Sequence, residues 1–299
     1  MIAMLYRGAL LISKWVGNWF LSMIARIIAA GFFVFLPGRV RRSALFYRAR
    51  FPKKGTLHAY FCVWRQYQNF TSLFLNQLLL LDFSRISVTS EGWEALEQTL
   101  NQGKGAIMLT SHVGNWEVAA HLLKKQQPDI RLLIYMGARN SEQIEKMQKK
   151  KLVDEGIRII AVEHDSGSAF HLIEANTFLN EGGLVALTGD RIWHTSQRAV
   201  QVNFLGREVN LPESPHLLAL ISERPLFVMF PVKTGKRQYH IRICPPIFVK
   251  AENRADRKNA VKRSAQAYAD LLSEATRRHP FEWYNFEMFP GEPLERKDS

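Results

Sequence analysis

Hydrophobic and polar positions change rhythm along this chain. From Lys14 to Leu36 the residues are mostly apolar, and the polar ones Lys14, Asn18, Ser22 and Arg26 recur every four positions. On a helix that spacing draws one narrow polar stripe along a greasy cylinder, with Arg7 close to the same line. Residues 57–81, "LHAYFCVWRQYQNFTSLFLNQLLLL", predict a second long helix, buried or facing a membrane. Further on, short β-rich runs at 85–90, 106–110, 131–136, 157–162, 184–189, 225–232 and 239–249 predict strands. Helical patterns fall near 91–102, 116–127, 140–152, 168–180, 214–223 and 256–278. Such alternation predicts an α/β fold, a mostly parallel central sheet flanked by helices, with a membrane-associated helix at its N-terminus. The expected division is a basic hydrophobic anchor over 1–40 and a catalytic domain over 41–299.

Charge sharpens the reading of the N-terminus. The chain of 299 residues carries a formal net charge of +13, and no Asp or Glu precedes Asp82. Residues 1–81 hold eleven Lys or Arg, while the other 218 are nearly balanced. Nucleic acid is excluded as the partner because these cations are embedded among aromatic and aliphatic residues. That mixture suits a membrane surface, with "GRVRRSALFYRARFPKK" lying against anionic headgroups. The polar stripe favours an interfacial or re-entrant helix. A spanning helix from Val16 to Leu36 is the rival, and Arg26 near its middle would cost roughly 2.5–3.5 kcal/mol. No clean small-x-small cleavage site follows, which argues against a cleaved leader.

Composition is otherwise that of a globular protein, 47% apolar and 22% charged. Cys62 and Cys244 have no C-x-x-C partner and are expected in the core. His164, His171, His194 and His240 are scattered and expected to be structural. No metal-binding cluster of the H-E-x-x-H or Cys/His kind is present.

In open α/β sheets the ligand site collects beyond the carboxyl ends of strands. Two polar loops fall there, "SHVGNWE" after "AIMLT" and "GDR" after "LVALT". In the first, His112 and Glu117 stand five apart, about 140° around a continuous helix, so they meet only if the helix starts between them. Gly114 permits the break, and Asn115 is a favoured N-cap for a helix beginning at Trp116. Glu117 then becomes the second helical residue, where the helix dipole favours a carboxylate that can turn back to the histidine. A carboxylate-held imidazole suits a general base that deprotonates a hydroxyl. No G-x-S-x-G elbow supplies a protein nucleophile, and "DSGSA" at 165–169 is a poor substitute.

The text "HVGNWE", His112 to Glu117, resembles the H-x4-D/E signature of the glycerolipid and lysophospholipid acyltransferase superfamily. Its N-W-E ending resembles the branch of late acyltransferases of lipid A and lipopolysaccharide biosynthesis. Similarity of layout extends over roughly residues 40–290, through "ISVTSEGWEALEQTLNQGKGAIMLTSH", "LVALTGDR" and "VNFLGREVNLPESPHLLALISERPLFVMFPV". The resemblance implies transfer of a fatty acyl group from an acyl carrier protein or coenzyme A thioester to a hydroxyl of a membrane lipid, at the cytoplasmic face of a bacterial inner membrane. It makes residues 41–299 an acyltransferase domain that needs no cofactor. His112 is then the general base and Glu117 its orienting partner. Gly114, Asn115, Arg139, Asp190 and Arg191 are candidate substrate-binding positions, the arginines because a guanidinium can hold a phosphate of either substrate. For Asp190 and Arg191 the competing expectation is a salt-bridged loop.

The text after "MGARN" and the closing "HPFEWYNFEMF" depart from that branch, although the tail keeps its tryptophan. These departures leave the acceptor open between a lipid A precursor and another glycolipid or aminolipid. A thioesterase, with water in place of the lipid hydroxyl, and a non-catalytic lipid-binding protein are the alternatives. Oligomeric state is not legible.

Overall fold

A computed structural model describes residues 18–79, 86–137, 152–154, 156–162, 168–192, 197–235 and 237–285. The helix expected at 140–152, all but its last residue, lies outside these, as do Arg139, His164 and His194.

The apolar runs of the second region form one seven-stranded sheet. In chain order its strands are β1 (Ser87–Glu91), β2 (Ala106–Thr110), β3 (Leu132–Gly137), β4 (Arg158–Val162) and β5 (Leu184–Thr188), then β8 (Leu226–Gly235) and β9 (Gln238–Ile243). Their spatial order is β1-β9-β8-β2-β5-β3-β4, and only the β8–β9 pair is antiparallel. Between β5 and β8 comes a separate antiparallel hairpin, β6 (Ala199–Phe204) and β7 (Arg207–Pro212).

Helices cover both faces, which is why the central strands are apolar throughout. All five residues of β2 are buried, and they alternate between two cores. Ala106 and Met108 pack with α4 (Trp93–Asn101) and α5 (Trp116–Gln126) through Leu96, Ala119 and Leu123. Ile107 and Leu109 join the larger core on the other face. That core is built by α2 (Pro37–Arg50), α3 (Thr56–Leu79), α6 (Ser168–Asn180), α7 (Ser214–Ser222) and α8 (Arg257–Arg278). In α8 the buried Val261, Ala265, Tyr268, Leu272 and Thr276 recur at three- and four-residue steps, one apolar face of an otherwise charged helix.

At the N-terminus, α1 (Asn18–Phe35) meets α2 at 92°. Pro37 opens α2 where a missing N–H leaves nothing unpaired, and it disfavours helix at Leu36 before it, which sits at φ −119°, ψ 60°. Among the described residues no single helix is long and apolar enough to cross a membrane, and only the bent α1–α2 pair meets that test when taken together. The expected boundary at residue 40 falls inside α2, whose Val40, Ala44, Phe46 and Tyr47 belong to the main core.

Candidate active site

Strands β2 and β5 are parallel neighbours in register, Thr110 opposite Thr188, so their two polar loops leave the sheet side by side. The Gly189 amide donates to the Thr110 carbonyl at 2.9 Å and ties the loops together at their base. From there Asp190 reaches across to His112. Its Oδ1 lies 2.8 Å from His112 Nδ1, and its Oδ2 accepts the His112 backbone N–H at 2.9 Å.

The electrostatics of this pair follow from burial. Asp190 is 1% exposed, and desolvation alone would push its carboxyl up. The His112 charge and hydrogen bonds from the His112 ring, the Trp283 indole and the His112 amide outweigh desolvation, and the group is held below its ordinary value. An ionised carboxylate only accepts, so the proton between Oδ1 and Nδ1 belongs to the imidazole. In that tautomer the lone pair is on Nε2. The His112 side chain keeps 24% exposure while that of Asp190 has none, so the ring, not the carboxylate, is open to substrate.

Around the histidine the loop has the shape its residues predict. Asn115 caps α5, its Oδ1 accepting from the amides of Glu117 at 3.1 Å and Val118 at 3.4 Å. Gly114 has φ +73°, and a Cβ there would stand 1.7 Å from the Pro231 carbonyl oxygen of β8. Gly114→Ala therefore meets an unfavourable backbone angle and a collision with rigid backbone together. The expected cost is about 2–5 kcal/mol, read as a lowered Tm with loss of activity, and an unchanged melting curve would contradict this packing.

Glu117 sits in the first turn of α5, as expected, where the helix end favours its charge. On the other side, His112 Nδ1 donates to Asp190. Arg191 follows on the same loop, half-buried. Thus the structure brings His112, Gly114, Asn115, Glu117, Asp190 and Arg191 to one end of two adjacent strands.

One contributor carried no signal in spacing. The C-terminal segment returns beneath both loops, with Gly114 N donating to Glu282 O and Tyr284 N to His112 O, each at 2.8 Å. Between them Trp283 Nε1 donates to Asp190 Oδ2 at 2.8 Å, and Asn285 Nδ2 donates to the Asp190 carbonyl at 3.1 Å. Burial pushes the Glu282 carboxyl up to about 7, although a hydrogen bond from Tyr284 and the charge of Lys233 oppose it.

Several polar groups away from these loops are held within the fold. His216, on α7, is fully buried beside Ser264 Oγ at 2.8 Å, and burial pushes it down to about 4. His240 lies 2.9 Å from Thr89 Oγ1, Cys62 and Cys244 are both buried free thiols, and burial pushes Cys244 up to about 11.

The fold and this geometry define an α/β protein with a carboxylate-held histidine at the carboxyl end of its sheet. The family model described as bacterial lipid A biosynthesis acyltransferase matches residues 78–288, and the chain belongs to that family. The match spans the sheet, both polar loops and the returning C-terminal segment, and leaves out α1, α2 and nearly all of α3. Comparison with curated proteins returned no match.

Proposed function

We propose that this protein transfers a fatty acyl group from an acyl thioester, carried by acyl carrier protein or coenzyme A, to a hydroxyl of a membrane lipid. A lipid A precursor is the acceptor that family membership favours. The observation that carries the mechanism is the Asp190–His112 Nδ1 hydrogen bond inside the matched region.

With Nδ1 engaged by Asp190, His112 Nε2 takes the proton of the acceptor hydroxyl as its oxygen attacks the thioester carbonyl carbon. Collapse of the tetrahedral intermediate breaks the carbon–sulfur bond. The departing thiolate recovers the proton from His112, leaving an ester and a free thiol. Asp190 sets the tautomer and stabilises the imidazolium. Glu117 adds a second negative charge at the start of α5, toward the same end. Gly114 and Asn115 hold the loop on which the acceptor hydroxyl is seated, and Arg191 offers a guanidinium to a phosphate of donor or acceptor. Arg139, assigned the same task by resemblance, lies outside the described residues. Mass spectrometry of total lipids from cells with and without the protein tests this reading. One acyl chain added to a lipid A precursor is expected, and an unchanged lipid profile with a rise in free fatty acid would instead indicate a thioesterase.

Access to a lipid acceptor calls for seating at the membrane, which we place at the cytoplasmic face of the inner membrane. Helix α1 exposes Trp19, Ile27, Ile28, Phe32 and Phe35, and α3 exposes Leu57 and Phe61. The acid-free, cation-rich sequence around them supports attraction to anionic lipid. Each inserted side chain contributes about 1.5–3 kcal/mol, a term that salt does not screen. The native chain is therefore expected to stay with membranes in 1 M salt, whereas the triple variant Ile27→Asp, Ile28→Asp, Phe35→Asp should be released. Retention of that variant in high salt would remove α1 from the docking face.

A further inference from the structure

The Asp190 carboxylate is gripped from two sides. Oδ1 meets the His112 ring, while Oδ2 accepts from the His112 amide and from Trp283 Nε1. Turning the carboxylate away from Nδ1 would break both contacts at Oδ2. The indole itself is fixed by packing, 1% exposed, its ring 4.5 Å from that of Phe46 on α2 and 5.9 Å from that of Phe204 on β6, centroid to centroid. Its backbone is held too. Gln66 of α3 donates its amide to the Trp283 carbonyl, and Tyr47 of α2 donates to the Pro280 carbonyl at 2.9 Å. On either side, Glu282 and Tyr284 are hydrogen-bonded to the histidine loop. Of these contacts only the indole N–H bond to Asp190 Oδ2 depends on the residue being tryptophan, and a side chain that only filled volume would not need it.

We infer that Trp283 is a positioning residue for acyl transfer, its indole N–H locking Asp190 Oδ2 so that Oδ1 faces His112 Nδ1. The inference rests on the acyl-transfer reading of the site. It assigns the C-terminal segment a part in the reaction although its side chains need not touch substrate. It also gives α2 and α3 a route to the site through Trp283, Phe46 packing on its indole and Gln66 holding its backbone carbonyl.

Trp283→Phe removes the N–H and keeps an aromatic ring between Phe46 and Phe204. Loss of one donor to a buried carboxylate is expected to lower kcat/KM about 10- to 100-fold, mainly through kcat. A carboxylate with one donor fewer is a stronger acceptor for the Nδ1 proton and favours the protonated ring. The acid limb of the pH–rate profile should therefore move to higher pH. Phe46→Leu is the control, since it loosens the packing and leaves the indole N–H in place, so it should lower Tm with the limb unmoved. A limb and kcat in Trp283→Phe equal to those of the native protein would overturn the inference, as would a limb shift of the same size in Phe46→Leu. Should Trp283→Phe fail to fold, the native chain labelled with ¹⁵N-tryptophan decides. A Trp283 indole signal that is protected from exchange and moves in Asp190→Asn supports the lock, and a freely exchanging signal rejects it. That spectrum needs no substrate, so a native protein that shows the protected signal but transfers no acyl group would refute the acyl-transfer reading alone.

Discussion

His112→Ala is expected to lower acyl transfer by about 10²–10⁴, the usual contribution of a general base, while the protein stays folded. The ring sits at the mouth of its loop with 24% side-chain exposure, so its removal empties little of the core. The backbone contacts that shape the loop, His112 N to Asp190 and Tyr284 N to His112 O, do not involve the imidazole. The buried Asp190 loses a hydrogen-bond partner, and some stability goes with it. Melting curves recorded beside specific activities separate that cost from the chemical one. Activity of His112→Ala within a few-fold of native, in protein shown to be folded, would remove the histidine from the mechanism.

Asp190→Asn should be as damaging, with a loss of about 10³–10⁴, for a different reason. An asparagine preserves shape but presents either an NH₂ group or a weaker, uncharged acceptor to Nδ1. An NH₂ group facing Nδ1 forces the ring proton onto Nε2, where the lone pair is needed. Because the defect is one of tautomer as well as charge, raising the pH should not restore activity. Glu117→Gln is the informative comparison. The hydrogen bond to Nδ1 belongs to Asp190, so the loss in Asp190→Asn is expected to exceed that in Glu117→Gln. Steady-state rates for both variants across pH check this, and the reverse order would make Glu117 the stronger orienting group.

That contrast shows where the sequence was legible and where it was not. The joint at His112–Glu117 is encoded locally. Gly114 with φ +73° and Asn115 capping a helix that starts at Trp116 are consequences of residue type and spacing, and they fall where expected. The strands at 106–110 and 184–188 and the helices at 93–101, 116–126 and 257–278 follow from apolar period in the same way. Asp190, by contrast, stands 78 positions from His112, and their pairing depends on β5 lying beside β2. No local pattern states that order. Trp283 is 93 positions from Asp190 and depends on a segment that returns after α8.

The β6–β7 hairpin was hidden for another reason. Val200, Val202 and Phe204 alternate with polar residues, as do Val209 and Leu211, which is a strand signal. Its turn, however, is Leu205-Gly206, with the leucine at φ +51°, where Asn or Asp is the usual residue. An uncharacteristic turn masked an ordinary pair of strands. At the N-terminus the expected helix ends by Leu36, and α1 ends at Phe35, but the second helix that Pro37 opens at a steep angle to it was not foreseen. The division was legible in the proline, but the angle depends on how α2 packs Val40, Ala44, Phe46 and Tyr47 into the core.

The most direct test is acyl transfer by the purified protein from a radiolabelled acyl thioester to a lipid A precursor in mixed micelles, with lipid and free fatty acid separated at each time point. Histidine-catalysed transfer predicts that label enters the lipid with the native chain and falls by about 10²–10⁴ with His112→Ala. Label accumulating only as free fatty acid, or entering the lipid equally well with His112→Ala, would contradict it.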